Sequence, residues 1–147
     1  MLSGSDSSAV ETQLPVPATE ESLELVHLAA NAAADKLANN LVAVDVSERL
    51  ALTDAFVMCS APNDRQVGAI VDAVEEALRE RPAGAVRPVR REGAGTNRWV
   101  LLDFVDIVVH VMHEDERAYY GLERLWRDCP LIELGLGDER ASARPGA

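Results

Sequence analysis

Residues 52–60, LTDAFVMCS, predict a β-strand whose centre, positions 55–59, is entirely apolar. A strand without alternating polar positions is typical of a sheet covered on both faces. The strand is flanked in sequence by segments with helical periodicity. This arrangement favours a fold in which helices pack on a sheet.

Two amphipathic helices are predicted on either side of this strand. Thr19 or Ser22 is expected to cap the first, which ends near residues 39–40. Asn63, followed three residues later by Gln66, resembles a capping box and begins the second, which ends before Pro82. The apolar stripes are Leu23, Val26, Ala30, Ala33 and Leu37 in the first helix, and Val67, Ile70, Val71, Val74 and Leu78 in the second.

The remaining elements are strands and one further helix. Strands are predicted at residues 41–46, 86–91, 99–103 and 106–112, with a hinge at residues 104–105. Acids at positions 114–116 suit the start of a last helix, which ends at Pro130. The order of elements predicts an α/β fold with a mixed β-sheet flanked by helices. The apolar face of the last helix is expected to comprise Tyr119, Leu122, Leu125 and Trp126.

The 147 residues fit one domain, expected at 19–134, between disordered tails at 1–18 and 135–147 that lack periodicity. No apolar window is long enough to span a bilayer, and no signal peptide is recognised. Cys59 and Cys129 form no pairwise motif and are interpreted as buried, reduced thiols. A cytoplasmic protein is expected.

The charge distribution indicates the kind of partner. A net charge of -11 disfavours nucleic acid and favours a basic protein. The only positive stripe contains Arg87, Arg90, Arg91 and Arg98. A solvated strand face and a minor rRNA contact both remain interpretations of this stripe.

Two pairs of residues resemble catalytic or metal-binding sets. His110 and His113 are three apart, so on a strand their side chains point to opposite faces, which disfavours a metal site. Asp103 and Asp106 have the same spacing and no Gly-Ser turn nearby, which disfavours a nucleotidyltransferase site. We expect no catalytic residue, no metal and no cofactor, with a nucleotidyltransferase-like enzyme as the alternative.

Aromatic residues concentrate near the C-terminal end of the domain. Trp99 beside Arg98, next to a glycine-containing loop, is predicted to be an exposed interface anchor, because Trp, Tyr and Arg often dominate interfaces. Trp126 and Tyr119 are assigned to the core. The segment 99–113 is therefore the predicted binding surface.

Three segments resemble one known family. They are LVAVDVS at 41–47, TDAFVMCSAPNDRQVGAIVDAVEE at 53–76 and WVLLDFVDIVVHVMHEDERAYYGLERLW at 99–126. They resemble the bacterial ribosomal silencing factor (Iojap-like) family, over about residues 22–130. The signature positions matched are Trp99, Asp103, Asp106, His110, Tyr120 and Trp126.

The resemblance implies a fold distantly related to nucleotidyltransferases but without their catalytic residues. It implies a translational repressor that binds the fourteenth protein of the large ribosomal subunit and sterically blocks joining of the small subunit when nutrients are short. It implies no cofactor, and either a monomer or a homodimer. Val105 stands where many members carry glycine, so a different local turn is expected. The partner-binding residues expected are Arg98, Trp99, Leu101, Asp103, Asp106 and Tyr120.

Overall fold

The computed structural model describes residues 18–136. Within them, three helices and a short 3₁₀ helix accompany five strands. The helices are α1 (Glu20–Asp35), α2 (Asp64–Arg79) and α3 (Glu114–Tyr120), with the 3₁₀ helix at Leu122–Trp126. The strands are β1 (Asn39–Asp45), β2 (Ala55–Ala61), β3 (Arg90–Glu92), β4 (Trp99–Asp103) and β5 (Ile107–His113).

The strands form one sheet in the order β1-β2-β5-β4-β3. Only β2 and β5 are parallel, and the other neighbouring pairs are antiparallel. The predicted mixed sheet with helices is thus confirmed. The apolar strand predicted from residues 55–59 lies inside the sheet, and all seven residues of β2 are buried.

Helices α1 and α2 pack against one face of the sheet, called here the helix-covered face. The predicted caps are confirmed: the Thr19 side chain accepts from the Ser22 N–H, and the Asn63 side chain accepts from the Gln66 N–H. The Gln66 side chain does not return to its own cap as a full capping box would. It donates instead to the carbonyl oxygens of Lys36 and Leu37, and so joins the end of α1 to the start of α2.

The opposite face, called here the open face, is only partly covered. Its β1–β2 half packs against Trp126 of the 3₁₀ helix and against Cys129. An antiparallel bridge between Val44 and Leu131 joins this C-terminal segment to β1. Over its β4–β3 half, Tyr120 at the end of α3 lies against Trp99. Both cysteines are free and buried, as predicted.

Several predicted element boundaries are wrong. The strand at 86–91 is reduced to Arg90–Glu92, because Pro88 has no N–H to donate to a ladder. The strand at 52–60 begins only at Ala55, and Leu52 is exposed. The stripe of α1 ends before Leu37, which lies beyond the helix in a left-handed conformation (φ 64°) and is exposed.

The predicted last helix is also interrupted. Gly121 adopts a left-handed conformation (φ 60°) that ends α3 and separates it from the 3₁₀ helix. Because the stripe is broken, Tyr119 is 82% exposed instead of buried. Trp126 does pack against the core, as predicted.

The turn between β4 and β5 places Val105 at φ 74°. This backbone region favours glycine, and a β-branched residue occupies it at a cost. The valine therefore adopts a glycine-type conformation at the position where the family resemblance indicates glycine. Its neighbour Phe104 is buried and packs with the helix-covered core.

The predicted tails lie almost entirely outside the described residues. Leu136, which is inside the segment predicted as the C-terminal tail, packs against the core together with Ile132 and Leu134. At the other end, the Ala18 N–H donates to the Asp45 carboxylate at 3.0 Å. No helix among residues 18–136 is long and apolar enough to cross a membrane.

Candidate partner-binding face

Strand β4 divides its side chains between the two faces of the sheet. Val100 and Leu102 are fully buried against the helix-covered core. Trp99, Leu101 and Asp103 alternate with them and are half-buried on the open face. Three of the six predicted partner-binding residues therefore share one surface.

The Trp99 side chain is fixed by a hydrogen bond. Its Nε1 donates to Nδ1 of His110 on β5 at 3.1 Å. His110 is only 4% exposed, and burial lowers its pKa to about 4. Trp99 is thus a half-buried side chain with a defined orientation, where the sequence predicted an exposed anchor.

Aromatic rings form a continuous row along the open face. Tyr120 lies 5.1 Å from Trp99 between ring centroids, and the exposed Tyr119 lies edge-on to Tyr120 at 4.9 Å. In the other direction, the row passes from His110 through Phe56 to Trp126. We call this set the aromatic row: Tyr119, Tyr120, Trp99, His110, Phe56 and Trp126.

The loop before β4 determines where that strand begins. Gly93 has φ 84°, and a Cβ added there would lie 1.9 Å from the Trp99 carbonyl oxygen. Only glycine permits this approach of the loop to the strand. From the sequence, this segment was identified only as a glycine-containing loop.

Charged groups lie at the β3 end of the open face. Arg90 forms ion pairs with Asp103 at 3.6 Å and with Glu92 at 3.2 Å. The other Asp103 oxygen accepts from the Val105 N–H at 2.8 Å. Asp103 is therefore held in place while part of its carboxylate stays accessible.

Two of the predicted partner-binding residues do not join this group. Arg98 pairs with Glu116 at 3.3 Å and with Asp64 at 3.7 Å, at the start of α2. Asp106 lies in the turn at the opposite end of β4. Partial burial, followed by the charges of Asp54 and Glu21, raises the pKa of Asp106.

The positive stripe of the sequence is dispersed in the fold. Arg91 pairs with Glu75 of α2 at 2.7 Å, on the helix-covered side, whereas Arg90 belongs to the open face. Arg98 is paired at the other end of the sheet, as described above. Three of the four arginines therefore have acidic partners.

The His113 and Cys59 side chains occupy structural positions in the fold. The His113 side chain caps α3 by accepting from the Asp115 N–H at 3.0 Å, a role the sequence did not predict. Burial raises the pKa of the Cys59 thiol to about 12, which disfavours a nucleophilic thiolate. Among the described residues, no group of three potential ligands could hold a metal ion.

Comparison with known proteins identifies the class of protein to which this fold belongs. The model of the RsfS family, ribosomal silencing factor during starvation, matches residues 19–146. A ribosomal silencing factor from Halalkalibacterium halodurans is 42% identical over 76% of this chain and 92% of that protein. The corresponding factor from Bacillus subtilis is 39% identical over 77% of this chain and 93% of that protein.

Solved structures agree with these matches. A crystal structure of a Bacillus halodurans protein has a TM-score of 0.65 and 41% identity, covering 76% of this chain and 98% of that one. A Chromobacterium violaceum crystal structure has a TM-score of 0.67 and 31% identity, covering 81% and 97%. The chain belongs to the RsfS family of ribosomal silencing factors, which are regulators of translation and not enzymes.

Proposed function

We propose that the chain represses translation by binding the large ribosomal subunit through the β4 half of the open face. The partner there is the fourteenth protein of that subunit, and the bound factor sterically blocks joining of the small subunit, lowering translation under nutrient limitation. The site of action is the cytoplasm, and the chain acts as a monomer or a homodimer.

The observation that carries the proposal is the partly accessible group of Trp99, Leu101, Asp103 and Tyr120. Tyr120 is 55% exposed, and the three β4 residues are half-buried. An aromatic and aliphatic centre with a charged rim is the usual composition of a protein interface. Arg98 and Asp106, at opposite ends of β4, are proposed as contacts at the margins of this surface.

Charge supports a protein partner. The chain carries a net charge of -11, which attracts a basic ribosomal protein and repels rRNA phosphates. The arginines most suited to RNA are already paired with Glu75, Glu92, Asp103 or Glu116. Any rRNA contact in this proposal is therefore minor.

The test is Trp99→Ala, compared with Leu52→Ala as a matched control. Leu52 is an exposed apolar side chain in the loop before β2, at the far end of the sheet from Trp99. Removing an interface anchor is expected to weaken large-subunit binding by about 2 kcal/mol or more, roughly thirtyfold, whereas the control keeps wild-type affinity.

Binding is measured by co-sedimentation with purified large subunits, and repression by the yield of joined subunits on sucrose gradients. The Trp99→Ala variant should neither sediment with large subunits nor reduce joining at concentrations where the control does both. Unchanged co-sedimentation of a folded Trp99→Ala variant would contradict the proposed surface.

A further inference from the structure

His110 lies in the aromatic row between Trp99 and Phe56. Its Nδ1 accepts from Trp99 Nε1, and its ring lies edge-on to Phe56 at 5.1 Å between centroids. An indole has a single N–H donor, so one acceptor suffices to select the orientation of the ring. The oriented Trp99 ring then lies against Tyr120.

A histidine is a poor choice here for stability alone. When Nδ1 accepts, the neutral imidazole carries its proton on Nε2. This Nε2 is buried and has no hydrogen-bond partner among the residues that the structure describes. Leaving a buried donor unsatisfied is unfavourable, and a phenylalanine would fill a similar space without that penalty.

The Nδ1 acceptor of His110 is nevertheless available near neutral pH. Burial lowers the pKa of His110 to about 4, so the imidazole remains neutral and Nδ1 keeps its lone pair. A buried group that is unfavourable for folding but retains one specific contact indicates a role beyond packing.

We propose that His110 is a positioning residue for ribosome docking, which holds the Trp99 indole in the orientation that the partner contacts. This inference rests on the proposed function, in which Trp99 meets the large subunit. Because the ring is ordered before the encounter, its conformational entropy is not lost on binding. His110 itself does not need to touch the partner.

The test compares two substitutions that separate the acceptor from the ring. His110→Phe keeps an aromatic ring and removes the acceptor, whereas His110→Asn keeps an acceptor oxygen close to the place of Nδ1 and removes the ring. His110→Phe is expected to fold with at least wild-type stability and to bind large subunits roughly tenfold more weakly. His110→Asn is expected to retain most of the affinity despite its poorer packing.

A second measurement follows the indole in the free protein. The chain has two tryptophans, so a ¹⁵N–¹H spectrum contains two indole signals, with Trp126 as the internal reference. The Trp99 signal should shift in His110→Phe and stay near its wild-type position in His110→Asn. If His110→Phe does not fold, His110→Leu replaces it, because it also removes the acceptor while leaving Trp99 unchanged, and the same loss is expected.

The outcomes separate this inference from the function on which it rests. If Trp99→Ala loses binding but His110→Phe, or its replacement His110→Leu, binds like the wild type, the positioning role is overturned and the docking surface stands. An Asn variant as weak as the Phe variant also overturns it. If Trp99→Ala binds normally, the proposed docking surface itself is wrong.

Discussion

The helix-covered face of the sheet is lined with aliphatic side chains such as Val57, Leu102 and Val109, whereas the open face carries Trp99 and His110. On the first face, these side chains pack against α1 and α2 in one apolar core. On the second face, half-buried aromatic rings and an unsatisfied imidazole nitrogen reduce the gain from burial. The difference fits the proposal that one face serves stability and the other contact with a partner.

Two neighbouring leucines on β4 provide the sharpest test of this difference. Leu102 is fully buried against the helices, and Leu101 is half-buried on the open face. Leu102→Ala is expected to lower the free energy of unfolding by about 2–5 kcal/mol, because it leaves a cavity. Leu101→Ala should lower it by about 1 kcal/mol while weakening large-subunit binding.

Urea denaturation and co-sedimentation of both variants provide the measurements. The two faces differ in function only if the ranking reverses between the assays. A Leu101→Ala variant that loses as much stability as Leu102→Ala, with normal binding, would show that the open face is ordinary core.

Acid is expected to lower the stability of the fold through His110, which lies on the open face. In the unfolded chain His110 has its usual pKa of 6.5, and in the folded chain its pKa is about 4. Between these values the unfolded state binds a proton that the folded state does not. Stability is therefore lost as pH falls from 6.5 towards 4, by up to about 3 kcal/mol.

The wild type and His110→Phe are compared by urea unfolding at several pH values from 7.5 to 4. Other titrating groups, including Asp106 with its raised pKa, are present in both proteins, so the difference isolates His110. Equal pH dependence of the two proteins would mean that His110 is not buried as described.

A pair of glycines tests how the open face is positioned. Gly93→Ala brings a Cβ against the Trp99 carbonyl at φ 84°, and should cost about 2 kcal/mol of stability as well as displace the start of β4. Gly95→Ala is the matched control, because nothing lies within 4 Å of its added Cβ. Gly93→Ala should lower both the midpoint of thermal unfolding and the affinity for the large subunit, whereas Gly95→Ala should change neither. If the two variants behave alike, the loop does not position Trp99.

The sequence predicted best those elements that are specified locally. Helix α2 has its cap at Asn63, and all five residues of its predicted stripe are buried. The last predicted helix was harder to predict, because Gly121 breaks its apolar stripe. Tyr119 was consequently assigned to the core, although it lies at the exposed end of the aromatic row.

The candidate surface was predictable only in part. The alternation of β4 is enough to place Trp99, Leu101 and Asp103 on one face. The contact between Trp99 and His110 depends instead on the register of β4 against β5, in which Trp99 pairs with Met112 and Leu101 with His110. A register set by the whole sheet cannot be obtained from the periodicity of a single strand.

The most direct measurement of the central claim is a cryo-EM map of this chain bound to its own large ribosomal subunit. The account predicts that the β4 half of the open face, with Trp99 and Tyr120, is buried against the fourteenth protein of that subunit, while α1 and α2 face away. A map in which α1 and α2 contact the ribosome and Trp99 remains in solvent would contradict it.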